Sequence, residues 1–579
     1  MSGPDSRLNA SSLAELLQAR ADATPDELLY VFLADGETES QRLTFADADR
    51  AARAVAVALR DVAGPGDRAL LLYEPGLEFL PAFFGCQYAG LIPVPACPPR
   101  LDRLAQIWQG LANLTADCQP RAALTTGNLA SGLARGFSGF PGGAAVRWIA
   151  TDQLDASAAG RWRQQSIEPE AIALLQYTSG STAAPHGVMV THRNLMHNEL
   201  VIETALEHRG PGLGVCWMPL YHDFALVGGV LHGVFHPARV VLMSPLAMLQ
   251  QPYRWLRAIS HYRADTSGGP NFAYDLCVQR VTAEQKATLD LSNWSVASIG
   301  AEPISARTME RFSEAFTGCG FRPEAFYPSY GLAESTLFVA GGGKNSPPVV
   351  RSVSAAALEH GQVMAAAPDA ADARTLVGCG WPWLGQELVI VEPNTFRHCP
   401  DGTVGEIWVR GPSVARGYWN RLDETERTFR ARLRDTGEGP FLRTGDLGFV
   451  QDGQLFVTGR LKDVIVIRGR NYYPDDIEGT VQQVNPALRA GAGAAFETGP
   501  DGQPRLVVVQ EVDRRGRGLD AAALAGAVRQ AIAERHELQV HDVQFLEPGS
   551  LPRTTSGKVQ RHASRAAYER GGLRLWRPR

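Results

Sequence analysis

From Leu29 to about residue 400, short apolar runs alternate with segments in which apolar residues recur at helical spacing. Arg68–Tyr73 is typical of a buried strand, whereas Leu43–Leu59 has the spacing of a helix with one apolar face. Strands that alternate with helices usually pair in parallel, because each helix carries the chain back to the same edge of the sheet. The alternation therefore predicts an α/β fold with largely parallel sheets.

The pattern changes after residue 400. Gly405–Arg410 and Gly453–Thr458 resemble strands of an antiparallel unit, and a smaller unit begins after Gly459–Asp463. A chain of 579 residues is expected to form more than one domain. We predict a large N-terminal domain over residues 1–460, with parallel sheets, helices and a small β-barrel-like subdomain, and a smaller α+β C-terminal domain over residues 461–579. The C-terminal elements are expected as strands near Val464–Ile467 and Arg505–Val512 and as helices near Asp475–Val484 and Asp520–Glu534.

Composition argues against several classes of protein. The net charge of −5 disfavours non-specific nucleic-acid binding, and no apolar stretch is long and uninterrupted enough to span a membrane. The eight cysteines are scattered without a CxxC pair, so neither a zinc site nor a disulfide framework is expected. The N-terminus lacks the pattern of a signal peptide. These features predict a cytoplasmic protein with no nucleic-acid partner and no transmembrane segment.

The segment Gln176–Gly187 indicates a phosphate-binding loop. It follows Ala171–Leu175, which is typical of a buried strand, and it crowds hydroxyl side chains around a glycine. Backbone N–H groups and hydroxyls can donate to phosphate oxygens there, and glycine lets the backbone come close. The spacing does not match a Walker A loop, and an ordinary turn rich in small residues is the alternative. The candidate phosphate ligands are Thr178, Ser179, Gly180, Ser181 and Thr182.

Two later motifs have the residue types of a nucleoside site. Gly300–Pro303 follows the apolar run Ser295–Ile299 and could line the plane of a purine, although taken alone it is more simply a turn. In Tyr327–Thr336 an aromatic ring offers a stacking face for a base. Glu334 offers a carboxylate for Mg²⁺ on phosphate oxygens, its alternative being a surface residue at a helix start. The candidates are Gly300, Ala301, Glu302, Pro303, Ser329, Tyr330, Gly331, Leu332 and Glu334.

Three charged residues complete this set. Asp446 follows a tight turn and could accept hydrogen bonds from both ribose hydroxyls, while the Arg460 guanidinium could bind ribose or phosphate oxygens. Lys558 lies in a Gly-Lys pair near the C-terminus, where it could neutralise a carboxylate that attacks a phosphate. Taken alone, Lys558 is more simply a solvated surface lysine.

The order of these motifs resembles that of the adenylate-forming superfamily from about residue 12 to about residue 565. Within that superfamily the chain is most similar to the fatty acyl-AMP ligases. Further segments that carry this resemblance are Pro93–Arg100, Trp217–Asp223, Ser267–Leu276 and Arg470–Glu478.

The resemblance implies a reaction in two halves. A fatty carboxylate attacks the α-phosphorus of ATP to give acyl-AMP and pyrophosphate, and the phosphopantetheine thiol of an acyl carrier protein then takes the acyl group. Mg²⁺ on Glu334, the loop hydroxyls and Lys558 would neutralise charge in the first half. His222 would lie beside the acyl carboxylate, with a packing or gating role favoured over that of a general base. Lys462 would be the pivot about which the C-terminal domain moves between the halves.

An apolar tunnel is expected for the fatty chain. Its candidate residues are Ser267, Gly268, Gly269, Phe272, Ala273 and Leu276. They do not give the length of the acyl chain, because each buried methylene contributes only about 0.8 kcal/mol.

The acyl acceptor is predicted to be a holo acyl carrier protein acting in trans. Ala183 and His186 replace the glycine and lysine that are usual in the superfamily, and residues 350–377 resemble an insertion of the acyl-AMP ligases. In that family the insertion is thought to restrict the domain movement that coenzyme A needs. A loose alanine-rich loop over Ala355–Asp372 is the alternative for the insertion. For the whole chain, the alternatives are a fatty acyl-CoA synthetase and a non-catalytic scaffold that binds nucleotide or carrier. From charge alone, the residues expected to dock an acidic carrier helix are Arg514, Arg515 and Arg517.

Overall fold

The computed structural model describes residues 10–99, 104–140, 142–178, 186–467, 470–499, 504–513, 516, 518–554 and 557–577, with the backbone alone for residues 104–107 and 109. The strands are β1 (Leu28–Leu33), β2 (Glu39–Thr44), β3 (Arg68–Leu72), β4 (Ile92–Ala96), β5 (Ala122–Thr125), β6 (Arg147–Ala150), β7 (Ile172–Thr178), β8 (His186–Thr191), β9 (Gly212–Cys216), β10 (Ala238–Met243), β11 (Thr266–Gly269), β12 (Val296–Ile299), β13 (Phe326–Gly331), β14 (Phe338–Gly341), β15 (Val350–Ser354), β16 (Ala373–Val377), β17 (Trp381–Pro382), β18 (Glu387–Val391), β19 (Gly405–Arg410), β20 (Leu442–Gln451), β21 (Gln454–Arg460), β22 (Ile465–Ile467), β23 (Arg470–Tyr472), β24 (Leu488–Thr498), β25 (Arg505–Val512) and β26 (Val540–Leu546). The helices are α1 (Leu13–Ala23), α2 (Phe45–Arg60), α3 (Phe79–Tyr88), α4 (Leu104–Cys118), α5 (Gly127–Phe137), α6 (His192–Ala205), α7 (Asp223–Ala225), α8 (His232–Phe235), α9 (Pro245–Gln250), α10 (Tyr253–Tyr262), α11 (Asn271–Arg280), α12 (Ala283–Lys286), α13 (Ala306–Phe316), α14 (Ala355–Glu359), α15 (Leu422–Phe429), α16 (Pro474–Val484), α17 (Ala521–His536) and α18 (Arg561–Glu569).

A nine-stranded sheet forms the centre of the N-terminal part, in the order β17-β14-β13-β12-β11-β9-β10-β1-β2. Its inner strands, from β13 to β1, pair in parallel, and antiparallel pairing is confined to β2, β14 and β17 at the edges. A second sheet, β4-β3-β5-β6, is wholly parallel, and β7 and β8 form an antiparallel hairpin. The predicted α/β class is therefore confirmed.

Apolar burial explains why the helices cover these sheets. The helix α3 is buried along its whole length and packs on the apolar face of α2. Tyr88 at its end is 2% exposed, and its hydroxyl donates to Asp49 at 2.8 Å, so the buried phenol keeps a hydrogen bond. All eight cysteines are free thiols. In the part of the chain that the structure describes, no helix is both long and apolar enough to cross a membrane.

Beyond residue 386 the sheets have the mixed character that the sequence predicts. The strands β18 to β21 form a four-stranded antiparallel sheet, which corresponds to the small β subdomain. The C-terminal unit combines the sheet β24-β25-β26 with α16 and α17, around a core that includes Ile477, Val508 and Val528. The α+β class of this unit is confirmed. The boundary at residues 460 and 461 stays a prediction; it coincides with the end of β21.

Residues 350–377 form a hairpin whose two strands, β15 and β16, pair from Val350↔Val377 to Ser354↔Ala373. Part of the stretch expected to be loose is ordered as α14, because Leu358 on this helix is 1% exposed. An apolar cluster joins the hairpin to β20, β21 and the C-terminal unit through Val353, Leu358, Leu376, Phe449, Phe456 and Tyr473. The hairpin is therefore a folded element rather than a surface loop.

Arg374 on this hairpin fastens it to the first residues of the C-terminal unit. Its guanidinium lies 3.0 Å from Asp476 and 4.3 Å from the centre of the Tyr473 ring, and it donates to the carbonyl of Thr458 at 2.8 Å. The Arg374 side chain is only 10% exposed, so water screens these contacts weakly. The hairpin and the start of α16 are thus held together by charge as well as by apolar packing.

A second arginine, Arg561, joins the segment around Lys558 to the start of the C-terminal unit. Its guanidinium binds both carboxylate oxygens of Glu478 at 2.7 Å and also reaches Asp475 on α16. The same group lies 3.3 Å from Asp463, next to the predicted pivot Lys462. Arg561 therefore links three acidic side chains from two segments of the C-terminal unit.

Candidate functional site

A deep cleft opens at the carboxyl ends of β12 and β13, where parallel α/β sheets commonly bind ligands. Its other walls come from β20, β21 and the segment around Lys558. The predicted site residues that line it are Thr178, His222, Phe272, Leu276, Ala301, Glu302, Pro303, Ser329, Tyr330, Gly331, Leu332, Glu334, Asp446, Arg460, Lys462 and Lys558. The predicted phosphate ligands Ser179, Gly180, Ser181 and Thr182 lie outside the described residues, as does Ala183.

The hairpin β7–β8 holds the two ends of the predicted phosphate loop. Thr178 and His186 face each other across it in register. Tyr177 donates to Asp117 at 2.6 Å, and the backbone N–H of Trp419 donates to the carbonyl of Gly187 at 2.8 Å. These bonds fix both ends of the loop at the edge of the cleft.

Glu334 is placed by a hydrogen bond that the sequence analysis did not identify. The hydroxyl of Tyr418 donates to its Oε1 at 2.8 Å, and its backbone carbonyl accepts from the N–H of Ala415 at 2.9 Å. Mg²⁺ in nucleotide enzymes is usually held by one or two carboxylates together with substrate phosphates. Among the described residues there is no cluster of three or more ligating side chains for a metal. The Glu334 carboxylate in the cleft therefore fits a Mg²⁺ that is shared with the phosphates of a nucleotide.

The segment Gly300–Pro303 leaves β12 in a strained conformation and forms one side of the cleft. A Cβ on Gly300 would lie 2.8 Å from the carbonyl oxygen of Ser329, so only glycine allows this close approach of β12 to β13. Ala301 has a φ of 67°, a left-handed conformation that costs energy for a residue with a Cβ. Glu302 accepts from the backbone and side chain of Asn271 at 2.8 and 2.9 Å. Burial raises the pKa of Glu302, which Lys558 and Asn271 oppose.

Asp446 and Arg460 face each other in register on β20 and β21. Arg460 donates to Asp446 Oδ1 at 2.9 Å, and the Tyr330 hydroxyl donates to Oδ2 at 2.8 Å. Asp446 is 7% exposed, whereas the Arg460 side chain is 57% exposed and can turn towards a ligand. Each carboxylate oxygen keeps a lone pair after these bonds, so Asp446 can also accept from hydroxyls of a sugar. Tyr330 thus orients the carboxylate, a role that the sequence analysis did not foresee.

His222 lies where the chain turns into the cleft wall. It caps α7, and its Nδ1 lies 2.8 Å from Asp223 Oδ1. The next turn, Leu226–Leu231, is a π-helix, a form that is rare outside functional sites. Burial disfavours ionisation of Asp223, but attraction from His222 and Lys558 outweighs burial and lowers its pKa. His222, Asp223 and Lys558 therefore share one charged corner of the cleft.

Lys558 is presented by a short loop of the C-terminal unit. Its backbone N–H donates to Thr554 Oγ1 at 3.0 Å, and its carbonyl accepts from the Thr554 N–H at 2.8 Å. The side chain lines the cleft together with Asp223 and Glu302 of the large domain, and its charge favours the ionised form of both carboxyl groups and so acts to lower their pKa. The structure therefore shows the C-terminal unit placed with its lysine inside the cleft.

The predicted acyl-pocket residues separate into two groups. Phe272 and Leu276 line the cleft, and Phe272 is 37% exposed. The Ser267 hydroxyl donates to the carbonyl of Val215 at 2.6 Å and accepts from Trp255 at 2.8 Å, so it belongs to the interior of the domain. The predicted residues that lie behind the cleft surface rather than on it are Ser267, Gly268, Gly269, Ala273 and, from the nucleoside set, Gly300. A role for Phe272 and Leu276 in binding an acyl chain stays a prediction.

Several cleft residues were missed by sequence reasoning. No obvious motif marks the segment between β19 and β20, yet three of its residues line the cleft: Tyr418, Glu424 and Arg427. His186 lies 3.1 Å from Glu424, and its ring lies tilted against that of Tyr418, with the ring centres 4.9 Å apart. The sequence signal for these residues was the run of charged residues on the amphipathic helix α15. Such a run usually forms a solvated helix face, so it did not indicate a site.

Comparison with known proteins agrees with this geometry. The family model for AMP-binding enzymes matches residues 17–419, and the model described as Disco-interacting protein 2-like, AMP domain, matches residues 462–577. The chain is 44% identical over 573 residues to the medium-chain-fatty-acid–[acyl-carrier-protein] ligase JamA of Moorena producens, with 98% of this chain and 97% of that protein covered. It is 36% identical to the long-chain-fatty-acid–AMP ligase FadD32 of Mycolicibacterium smegmatis, with 98% and 95% covered.

Solved structures of similar sequence share the whole fold. A fatty acyl-adenylate ligase from L. pneumophila in complex with acyl adenylate and pyrophosphate is 37% identical, with a TM-score of 0.77 and 98% of each chain covered. A structure from a study of fatty acyl-adenylate ligases of E. coli and L. pneumophila is 32% identical, with a TM-score of 0.88 and 97% of this chain and 98% of that chain covered. The chain therefore belongs to the fatty acyl-AMP ligases of the AMP-binding, adenylate-forming enzyme family.

Proposed function

We propose that this protein activates a fatty acid with ATP and passes the acyl group to the phosphopantetheine thiol of an acyl carrier protein. In the first half a carboxylate oxygen bonds to the α-phosphorus, the bond from that phosphorus to pyrophosphate breaks, and acyl-AMP forms. In the second half the carrier thiol bonds to the acyl carbon, its proton passes to solvent, and AMP leaves. The carrier-protein ligase activity named for the relatives from Moorena producens and Teredinibacter turnerae supports this acceptor.

The observation that carries the proposal is the convergence of distant motifs on one cleft. Glu334, Asp446 and Lys558 come from three separate parts of the chain and all line it. A scaffold that only binds nucleotide has no need of a lysine carried into the cleft by a second domain. The convergence therefore favours an enzyme over a non-catalytic protein.

In the first half, the protein has to neutralise charge and hold the reactants in line. Lys558 would lie between the attacking carboxylate and the α-phosphate, because it reaches the corner where His222 and Asp223 meet. Asp446, oriented by Tyr330 and Arg460, would bind the ribose hydroxyls. Ala301 and Glu302 would lie along one face of adenine, and Thr178 with its loop would hold phosphate oxygens. Mg²⁺ would be held by Glu334 and would supply positive charge to the phosphates.

The choice between carrier and coenzyme A is tested by product analysis. A purified sample is incubated with a labelled medium-chain acid, ATP and Mg²⁺, and then with either coenzyme A or a phosphopantetheinylated carrier. We expect acyl-AMP to persist with coenzyme A and to be consumed by the carrier. Rapid acyl-CoA formation would make the protein an acyl-CoA synthetase. Failure to exchange labelled pyrophosphate into ATP with any acid would instead make it a scaffold.

We expect Arg374→Ala to loosen the hold of the hairpin β15–β16 on the C-terminal unit. The change removes the contacts to Asp476 and Tyr473 of the C-terminal unit, as well as a hydrogen bond to the Thr458 carbonyl within the N-terminal part. A lost hydrogen bond to a charged group is worth about 1.5–3 kcal/mol, which corresponds to at least a tenfold shift in the balance between held and released positions. Acyl-CoA formation should rise about tenfold from its low level, and limited proteolysis near residues 461–470 should become faster.

Arg351 on the same hairpin provides the matched control. It pairs with Asp452 at 3.3 Å, and both side chains are well exposed. Such pairs contribute little to stability, so Arg351→Ala should leave both measurements as in the unmodified protein. If Arg374→Ala gave the same products and the same rate of proteolysis as the unmodified protein, the hairpin would not restrain the C-terminal unit.

The carrier-docking residues proposed from charge, Arg514, Arg515 and Arg517, lie outside the described residues.

A further inference from the structure

The helix α15 is held beside the predicted phosphate loop by backbone hydrogen bonds. The segment just before it pairs with β8: Met189 donates to the carbonyl of Gly417 at 2.9 Å, and Trp419 donates to the carbonyl of Gly187 at 2.8 Å. Arg421, at the start of the helix, also lies 3.4 Å from Asp117, which binds Tyr177 of β7. The position of α15 relative to the loop is therefore fixed from two sides.

One face of the helix α15 lines the cleft. Glu424, Arg427 and Thr428 line the cleft, while Thr425 and Phe429 are buried on the other side of the helix. This spacing of three and four residues is that of a single helix face. The end of the cleft that holds Thr178 therefore has a wall made by α15.

Glu424 and His186 form a pair across this end of the cleft. Glu424 Oε2 lies 3.1 Å from His186 Nε2, and the Tyr418 ring packs against the imidazole at an angle of 35°. The Glu424 oxygen is buried yet makes no well-aligned hydrogen bond among the described residues. The imidazole is thus held in place by a carboxylate and a ring, next to the end of the phosphate loop.

Arg427 is the cation of this wall, and it has no partner among the described residues. Two other arginines that line the cleft do have partners: Arg443 binds Glu406 at 2.8 Å, and Arg460 binds Asp446 at 2.9 Å. Arg427 is exposed and lies one helical turn from Glu424. A guanidinium in this position can bind a phosphate group through two parallel hydrogen bonds.

The negative charges at this end of the cleft call for a positively charged group such as the Arg427 guanidinium. Glu334 and Glu424 both line it, and a polyphosphate brings several further negative charges. We infer that Arg427 binds the terminal phosphates of ATP and the leaving pyrophosphate, with His186, positioned by Glu424, as a second donor. Arg427 thereby supplies a permanent positive charge, because residues 178–185 of the loop include neither lysine nor arginine. This inference rests on the proposed function, because it assigns binding residues for its first half-reaction.

The test uses pyrophosphate in both a kinetic and a binding measurement. In the ATP–pyrophosphate exchange assay, Arg427→Ala should raise the KM for pyrophosphate about tenfold, since a charged hydrogen bond is lost. The KM for the fatty acid should stay the same. Calorimetry with inorganic pyrophosphate and Mg²⁺ should show the same tenfold weakening. Arg427→Lys should restore part of the affinity, and His186→Ala should have a smaller effect.

Two controls separate the possible failures. Arg430→Ala removes an exposed arginine at the end of the same helix that does not line the cleft, and it should change nothing. Acyl transfer from supplied acyl-AMP to the carrier should be unaffected in Arg427→Ala, because pyrophosphate takes no part in it. An unchanged KM and an unchanged calorimetric affinity in Arg427→Ala would overturn the inference. If the unmodified protein itself exchanges no pyrophosphate, the proposed function fails instead.

Discussion

Lys558→Ala should lower the rate of acyl-AMP formation by about 100- to 1,000-fold, the usual effect of removing one group that stabilises developing charge. Lys558 lines the cleft with His222 and Asp223, where two anionic oxygens would have to approach, and its charge favours the ionised form of Asp223. Without it, the carboxylate and the α-phosphate repel each other at the moment of bond formation. The measurement is the single-turnover rate of acyl-AMP formation with a labelled acid.

The second half-reaction distinguishes this role from a structural one. Acyl transfer from supplied acyl-AMP to the carrier should proceed normally in Lys558→Ala, since no phosphorus is attacked in that step. Arg565→Ala is a suitable control, because Arg565 lies on α18 and pairs with Glu569 at the surface. Loss of both half-reactions in Lys558→Ala, or an unchanged rate of acyl-AMP formation, would refute the assignment of this lysine to the first half alone.

Asp446→Asn should raise the KM for ATP about 100-fold, while the KM for the fatty acid changes little. The amide retains the size of the side chain but loses the charge and one acceptor oxygen. One or two charge-assisted hydrogen bonds to ribose would be lost, each worth about 1.5–3 kcal/mol. The bond from Tyr330 or that from Arg460 would also weaken. Steady-state kinetics with ATP as the varied substrate gives the result.

Asp452→Asn is the matched control for this change. Asp452 follows the same strand, β20, but lies at an exposed turn, where it pairs with Arg351. An asparagine there should leave the kinetics unchanged. Equal KM values for ATP in Asp446→Asn and the unmodified protein would remove Asp446 from the nucleotide site, and a large loss of thermal stability would assign it a structural role instead.

The order and type of the secondary elements could be predicted from the sequence, because each depends on a local pattern. The strand predicted over Arg505–Val512 is β25 with the same bounds, and the helix predicted near Asp475–Val484 is α16. The secondary structure of the stretch Ala355–Asp372 is harder to predict from the sequence. Its alanines give no clear periodicity, and α14 forms because Leu358 finds a distant apolar cluster that includes Tyr473. Tertiary packing thus decides what composition alone does not.

The residues of the candidate site divide in the same way, into those that a local motif indicates and those that only the fold brings to the cleft. Asp446, Arg460, Glu334 and Lys558 could be named as candidates because each stands in a motif with glycines or an aromatic residue around it, and all four line the cleft. Tyr418 and Arg427 could not, since they reach the cleft only through the pairing of the segment before α15 with β8. Conversely, Ser267 has the size expected for a tunnel wall, yet its hydroxyl is taken by Val215 and Trp255 inside the domain. Spacing along the chain does not reveal which face of a strand looks into a cleft.

The cluster around Arg561 has a mechanical consequence. Arg561 ties Asp463, the first residue after the predicted pivot, to Asp475 and Glu478 on α16. One stiff arm is thereby formed from Asp463, the helix α16 and the segment that carries Lys558. With Lys462 as the predicted pivot, a small torsion there would move the tip of Lys558 through a long arc, with little deformation inside the arm. The contacts that would resist this swing include those of Arg374 with Asp476 and Tyr473 and that of Arg470 with Glu359. We therefore expect the timing of the two half-reactions to depend on the base of the arm, far from the reacting atoms.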